Sequence, residues 1–390
     1  MEKVRFGIVG LGNQGFFYVN LFKQGKVENG VLAAVCDIAP DMLERTKGVF
    51  GDEIAYYDNA TDMFNSGKID VALIETPHFI HPDLAIEAMK AGLGVCVEKP
   101  AGVYTKQVEE MLKVADETGK MLGIMFNQRT NPLFRKMREM IQTGVLGEIK
   151  RTSWLITDWY RTQIYYDSGA WRATWAGEGG GVLYNQAPHQ LDLLQWVLGM
   201  TPSKVRAFCH EGKWHDIEVE DDVTAYLEFP NGATGVFITT TGDAPGTNRF
   251  EVLGTKGKLV CEKNELVFYA NGVDEREFCK TADGGFAQPP VTELKIKIEG
   301  ENTQHAGILS NLANTFLGKE KLYADAHDGI NGVSLANAMH LSSWLDTTIT
   351  MPIDGDLYFA ELSKRMATSR LKDKVAVKTE TLDMTKTFNI

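Results

Sequence analysis

The spacing of apolar positions changes near residue 147. Before it, short apolar runs alternate with stretches whose apolar positions recur every three to four residues. The runs 4–10, 31–36, 70–74 and 94–97 predict buried strands, and the segments ending at 22, 82–91 and 108–118 predict helices between them. Alternation at this length predicts a doubly wound parallel sheet. Beyond Gly147 the apolar positions recur every second residue over 148–158, 204–210, 223–229, 234–241, 249–253, 258–261, 265–269 and 294–298, with Pro230-Asn231-Gly232 as a hairpin signal. Such a series predicts a large, mostly antiparallel open sheet. Helical spacing returns over 182–198, 311–316, 329–348 and near 360–368, before a polar extended tail holding Val375, Val377 and Phe388. The pattern as a whole predicts an α/β protein with a doubly wound domain over 1–125, a second α/β domain over 126–355, and a helix and tail over 356–390.

Chemistry enters at the exits of the first strands. The first runs into Gly10-Leu11-Gly12-Asn13-Gln14-Gly15, and a helical pattern follows. Between a strand and a helix, glycines at this spacing permit a tight turn, close approach of backbone to a pyrophosphate, and close helix packing. The second strand ends in Asp37, where a carboxylate accepts hydrogen bonds from both ribose hydroxyls and repels a 2′-phosphate. Ile38 follows where an NADP binder would more usefully place Arg or Ser, so this Rossmann pattern favours NAD over NADP. A simple capping role for Asp37 is the alternative. Two further strand ends stand out, Glu75-Thr76-Pro77-His78-Phe79-Ile80-His81 and Glu98-Lys99-Pro100. His78 and His81 have no further ligands nearby, so no metal is expected. Lys99 is placed to project toward the nicotinamide, where neighbouring positive charge lowers an ammonium pKa, unless it is an ordinary solvated lysine.

The stretch 179–196 begins with three glycines, and Asn185, His189, Asp192 and Trp196 follow at i, i+4, i+7 and i+11. On one helix they form a polar stripe. Either the helix is a core element with a hydrogen-bonded histidine, or the stripe faces chemistry. Pro188 removes an N–H and predicts a kink that turns His189. The aperiodic stretch 158–175 carries Tyr160, Trp171, Arg172 and Trp175 among other aromatic and polar residues, a composition suited to sugar rings and hydroxyls or, alternatively, to packing. Arg172 is the best single candidate there.

Charge narrows the partners. With 40 basic and 52 acidic residues the net charge is −12, and no basic cluster suggests nucleic-acid binding. No leader pattern or membrane-length apolar run is seen, so a soluble cytoplasmic protein is expected. Five scattered cysteines, Cys36, Cys96, Cys209, Cys261 and Cys279, suggest thiols.

In order and spacing, Gly10 to Gly15, Asp37, Thr76-Pro77 with His81, Glu98-Lys99-Pro100, Phe126-Asn127-Gln128-Arg129, the stretch 179–196 and the segment 250–257 resemble the Gfo/Idh/MocA oxidoreductases, over the chain to about residue 350. The resemblance implies that Lys99 is the catalytic lysine, His189 the general acid/base and Asp192 a substrate carboxylate. It implies a cofactor site at Gly10, Gly12, Asn13, Gln14, Gly15, Asp37, Thr76, Pro77, His78, His81, Glu98, Lys99, Pro100, Asn127 and Gln128, and a substrate site that adds Asn185, Arg172, Tyr160 and Trp175. Asn185 departs from the aspartate common in the family. Its carbonyl can orient an imidazole but brings no charge. Glu75 departs too, since a small or apolar residue is usual before the Thr-Pro turn. The implied activity is NAD-dependent oxidation of a secondary hydroxyl on a sugar, glycoside or cyclitol by a homodimer or homotetramer whose open sheet face is covered. A redox-neutral enzyme with retained NAD and a non-catalytic sensor are the alternatives.

Overall fold

The computed structural model describes residues 3–370, and Val375, Val377 and Phe388 lie outside them. The chain divides into two compact units. The first comprises the chain to Thr130, Gly177–Gly179 and Thr303–Val333, and the second comprises Asn131–Ala176, Gly180–Asn302 and the chain from Ser334. Residues 303–333, expected in the second domain, therefore pack with the first unit.

Unit one opens with β1 (Val4–Val9), α1 (Asn13–Lys23), β2 (Gly30–Cys36), α2 (Pro40–Phe50), β3 (Ala55–Tyr57), α3 (Ala60–Phe64), β4 (Val71–Ile74), α4 (His81–Lys90), β5 (Gly94–Val97), α5 (Thr105–Thr118) and β6 (Leu122–Ile124). The six strands are parallel, in the order β3-β2-β1-β4-β5-β6. Every residue of β4 and β5 is buried, as strands covered on both faces require. Helix α5 shows why its pattern was legible: Val108, Met111, Val114 and Ala115 are its buried apolar residues, at helical spacing. The strand order reverses between β1 and β4, so their carboxyl ends flank the crevice where such sheets bind ligands.

Unit two continues with α6 (Pro132–Gln142), β7 (Ile149–Ile156), α7 (Gln163–Asp167), α8 (Val182–Asn185), α9 (Pro188–Leu198), β8 (Lys204–Glu211), β9 (Glu220–Glu228), β10 (Thr234–Thr240), β11 (Asn248–Gly254), β12 (Gly257–Glu262), β13 (Glu265–Asn271), α10 (Glu275–Thr281) and β14 (Val291–Ile296). After them α11 (Gln304–Phe316) belongs to unit one, α12 (Ala326–Trp344) begins there and ends in unit two, and β15 (Ile349–Thr350) and α13 (Gly355–Thr368) finish unit two. Its nine strands run β14-β13-β12-β11-β7-β10-β9-β8-β15, all antiparallel neighbours except β7 with β10. Trp154 of β7 fixes the inner face by stacking on Phe250 of β11 at 4.2 Å and meeting Phe237 of β10 edge-on. Among the described residues no helix is long and apolar enough to cross a membrane.

The expected single helix over 182–198 is two helices. Pro188 starts α9 at its first turn, where a missing N–H costs nothing, and Gln186 and Ala187 separate it from α8. Asn185 and His189 therefore sit on different helices, and the four-residue stripe is not continuous.

Candidate active site

In unit one the cofactor candidates form a cradle around the ends of β1, β2, β4 and β5. Gly10 has φ +95°, and a Cβ there would lie 2.5 Å from the Glu75 carbonyl oxygen. A Cβ on Gly15 would lie 1.9 Å from the Gly10 oxygen. Side chains are excluded at both positions, whereas a Cβ on Gly12 would meet nothing within 4 Å. Gly12 is the N-cap of α1 and provides no side-chain cap, so the first amides of this helix suit a pyrophosphate. Asp37 is pinned rather than loose: Oδ2 accepts from the Leu11 N–H at 2.6 Å and Oδ1 from the Ala39 N–H at 2.8 Å. Each oxygen retains acceptor capacity for a ribose hydroxyl. Ile38 beside it is 90% exposed, an apolar ledge.

The far wall of this cradle holds polar atoms that fit a bound nucleotide. Thr76 Oγ1, Asn127 Oδ1 and Gln128 Oε1 are buried and have no hydrogen-bond partner among the described residues. Asn127 and Gln128 both donate their amides to Gln304 Oε1, at 2.5 and 3.2 Å. That contact turns their carbonyl oxygens toward a missing donor. Gln304, which no motif singled out, adopts φ +49° at this contact. The residues present thus fit NAD: loop glycines and α1 for the pyrophosphate, Asp37 for a ribose, and the orphaned amide carbonyls and hydroxyl for the remaining donors.

His81 links the two strand-end loops, with Nδ1 3.0 Å from the Pro100 oxygen and Nε2 2.5 Å from the Thr76 oxygen. Burial, aided by the charge of Lys99, pushes its pKa down. His78 Nδ1 lies 3.1 Å from the Glu178 oxygen. Both histidines thus hold backbone. Glu98 receives the Tyr18 hydroxyl on Oε1 and the Lys99 N–H on Oε2 at 2.8 Å. His305, also unforeseen, lies against Phe17 and Tyr18, and burial with the Lys99 charge pushes its pKa down to about 3.

Gly180 and Gly181, the last two of the three glycines, open a segment of unit two, and Gly181 is seated on Glu220. This fully buried carboxylate accepts the Gly181 N–H on both oxygens at 2.9 Å and the Leu183 N–H at 3.0 Å. A Cβ on Gly181 would lie 1.9 Å from the Glu220 carbonyl oxygen, so only glycine allows this approach. His340 Nε2 stands 2.9 Å from Glu220 Oε2, at ion-pair distance but off the hydrogen-bonding direction, and its ring stacks between Tyr184 and Trp344. Glu220 thereby fixes the chain as it enters α8. From there it turns into α9, where His189 and Asp192 are buried three residues apart on one face.

Tyr165 is the hub of the predicted substrate loop, although the sequence pointed instead to its neighbours. Its hydroxyl donates to Asn185 Oδ1 at 2.8 Å and accepts from Arg172 Nη1 at 2.8 Å and Gln186 Nε2 at 3.0 Å. The Arg172 and Arg161 guanidiniums lie 4.6 and 5.2 Å from its ring centroid. Asn185 Oδ1 also receives Gln186 Nε2 at 3.2 Å, so the carbonyl expected to orient the imidazole is engaged with these two residues. His215 ties the loop down, with Nδ1 2.9 Å from the carboxylate of buried Asp221 and Nε2 2.9 Å from the Arg161 oxygen. Tyr160 is 51% exposed. Trp175 is instead buried edge-on against His340 and Trp344, a packing position rather than part of the Tyr165 cluster.

Residues 4–126 match the oxidoreductase family with an NAD-binding Rossmann fold, GFO_IDH_MocA, and residues 134–260 match the GFO/IDH/MocA C-terminal domain. The chain is 25% identical over 343 residues to the inositol 2-dehydrogenase of Rhizobium meliloti, covering 86% of this chain and 95% of that protein. It is 26% identical to the scyllo-inositol 2-dehydrogenase (NAD(+)) of Bacillus subtilis, over 66% of this chain and 73% of the relative. Among solved structures, the WlbA dehydrogenase of Bordetella pertussis in complex with NADH and UDP-GlcNAcA is similar with a TM-score of 0.74 and 27% identity, over 90% of this chain and 100% of that one.

Proposed function

Because the chain belongs to the Gfo/Idh/MocA family of NAD-binding oxidoreductases, we propose that it oxidises a secondary hydroxyl of a sugar, glycoside or cyclitol, or reduces the corresponding ketone. The observation that carries this reading is the Tyr165 hub, where an amide, a guanidinium and a phenol converge on one point next to α8. Such groups match the hydroxyls of a polyol better than they match an apolar ligand.

NAD, when bound, supplies the hydride acceptor. His189 takes the proton of the reacting hydroxyl, and Lys99 stabilises the oxygen as that proton leaves. Asp192, Asn185 and Arg172 hold neighbouring hydroxyls, and Tyr165 holds Asn185 and Arg172. The relatives named for inositol support a cyclitol, and the Bordetella enzyme solved with UDP-GlcNAcA supports including sugar acids, for which the Arg172 fork is suited.

We also infer a homo-oligomer. On the sheet, Phe208 and Tyr226 are 51% and 44% exposed on adjacent strands, and a second copy would cover them. Sedimentation at a series of concentrations tests this, and a monomer throughout would exclude it.

The activity is tested by titrating NAD and NADP, then following reduced-nicotinamide absorbance with inositols, glucosides and uronic acids on the oxidised cofactor and with keto-sugars on the reduced one. Turnover that Lys99→Ala and His189→Ala each abolish, with NAD binding kept, supports the reading. Silence across all four classes removes it. Product formed without net reduced nicotinamide, on cofactor that survives gel filtration, would make the enzyme redox-neutral.

A further inference from the structure

Two carboxyl groups of unequal support lie behind the glycine loop of unit one. Glu75 follows β4 and Glu98 follows β5, and the last residues of these strands, Ile74 and Val97, are register partners. Glu98 is well provided for, with the Tyr18 hydroxyl on one oxygen, the Lys99 N–H on the other, and the charge of Lys99 beside it. Glu75 is not. Both of its oxygens are shut off from solvent, and neither has a hydrogen-bond partner among the described residues.

The groups around the pair come from four elements. Helix α1 contributes Gln14 and Tyr18, β5 contributes Cys96, the turn after β5 contributes Glu98 and Lys99, and α11 contributes His305. Burial and the Glu98 charge push the Tyr18 phenol up, and burial does the same to the Cys96 thiol, so both are neutral. His305, pushed down to about 3, is neutral as well. An ionised Glu75 would be a desolvated charge, without a donor, and next to a second anion; a protonated one avoids the charge penalties and bears only the smaller cost of a buried neutral polar group.

We propose that Glu75 carries a proton in the folded protein, so that the Glu75/Glu98 pair presents a single negative charge to Lys99. Burial first, then the charge of Glu98, push the Glu75 carboxyl well above the usual carboxylate range. The same burial raises Glu98, but Lys99 and the Tyr18 hydroxyl pull it back, which assigns the proton to Glu75. With that proton in place, Glu98 is the one carboxylate beside Lys99. Glu75 is thus a positioning residue that acts through Glu98. Its relevance to turnover rests on the role proposed for Lys99, but the protonation itself does not.

The test therefore uses the full chain without substrate. Glu75→Gln keeps the shape of the neutral acid and cannot ionise, and Glu75→Leu is the second variant should the amide not be tolerated. Infrared spectra at pH 7 are expected to show a carboxylic-acid carbonyl band in the wild type that either variant lacks. The raised folded-state pKa makes the wild type lose stability against Glu75→Gln as pH rises from the unfolded value of about 4.3 toward the folded one. The ratio of their folding constants should change by up to about tenfold per pH unit across that window. Identical infrared spectra, or a ratio that does not change with pH, overturn the proposal. Turnover in a protein without the acid band would leave the dehydrogenase reading in place and remove only this one.

Discussion

Glu220 is the residue on which the entry of the chain into α8 depends, and Glu220→Ala is the perturbation that exposes it. The carboxylate accepts the N–H groups of Gly181 and Leu183 and faces the His340 Nε2, with no solvent exposure to replace any of them. An unsatisfied buried donor costs about 1–3 kcal/mol, and alanine strands two amides and leaves the imidazole without its partner. The sum is roughly 3–5 kcal/mol after partial relaxation, the range found on removing one member of a buried pair. Glu220→Gln retains one acceptor oxygen and should lose about 1–3 kcal/mol. Denaturant unfolding measures both, with substrate turnover and NAD affinity followed in parallel. Turnover should fall further than NAD affinity, because Gly180, Gly181 and α8 belong to unit two while the cofactor cradle belongs to unit one. A folded Glu220→Ala protein with less than about 1 kcal/mol lost would show that the carboxylate does not support the glycine turn, and the reasoning would fail.

Further outcomes follow from single contacts. Tyr165→Phe removes the hydroxyl that joins Asn185, Arg172 and Gln186, and kcat/KM should fall about 10–100-fold, equivalent to about 1.4–2.7 kcal/mol, with NAD affinity within about twofold in a fluorescence titration. An unchanged kcat/KM would detach the hub from the substrate. Asp37→Ser should weaken NAD by about tenfold and narrow its preference over NADP, read from paired titrations, because the anchored carboxylate is lost. His305 has a folded pKa of about 3, below its unfolded value, so its contribution to stability is full above about pH 6.5 and is lost as pH falls toward 3. His305→Gln should flatten the acid limb of the unfolding free energy by up to about 1.4 kcal/mol per pH unit in that window, and parallel curves would refute it.

Much was legible because it is local. Strand β4 declared itself by four consecutive buried apolar residues, α5 by its three-to-four spacing, and the cofactor loop by Gly10 and Gly15, whose neighbours leave no room for a Cβ. Asp37 needed only its position at the exit of β2. The C-terminal helices were found but assigned to the wrong body, since apolar spacing tells which face is buried and not against what: 303–333 packs with unit one. Likewise an aromatic residue reads the same whether it faces a ligand or the core. Trp175 carried the same composition signal as Tyr165, and only tertiary packing placed one against His340 and Trp344 and the other at the centre of three polar side chains.

By itself the sequence determined the alternation of the main strands and helices, the parallel sheet and the glycine loop between β1 and α1, because each depends on backbone conformation or on near neighbours along the chain. The tertiary structure decided which distant groups complete them. Glu220 lies 39 residues beyond Gly181, and Gln304 lies 177 beyond Asn127. Tyr18 reaches Glu98 across 80 residues. Hydrogen bonds of that kind have no period and no motif; they exist because burial leaves donors and acceptors that only the folded chain can pair.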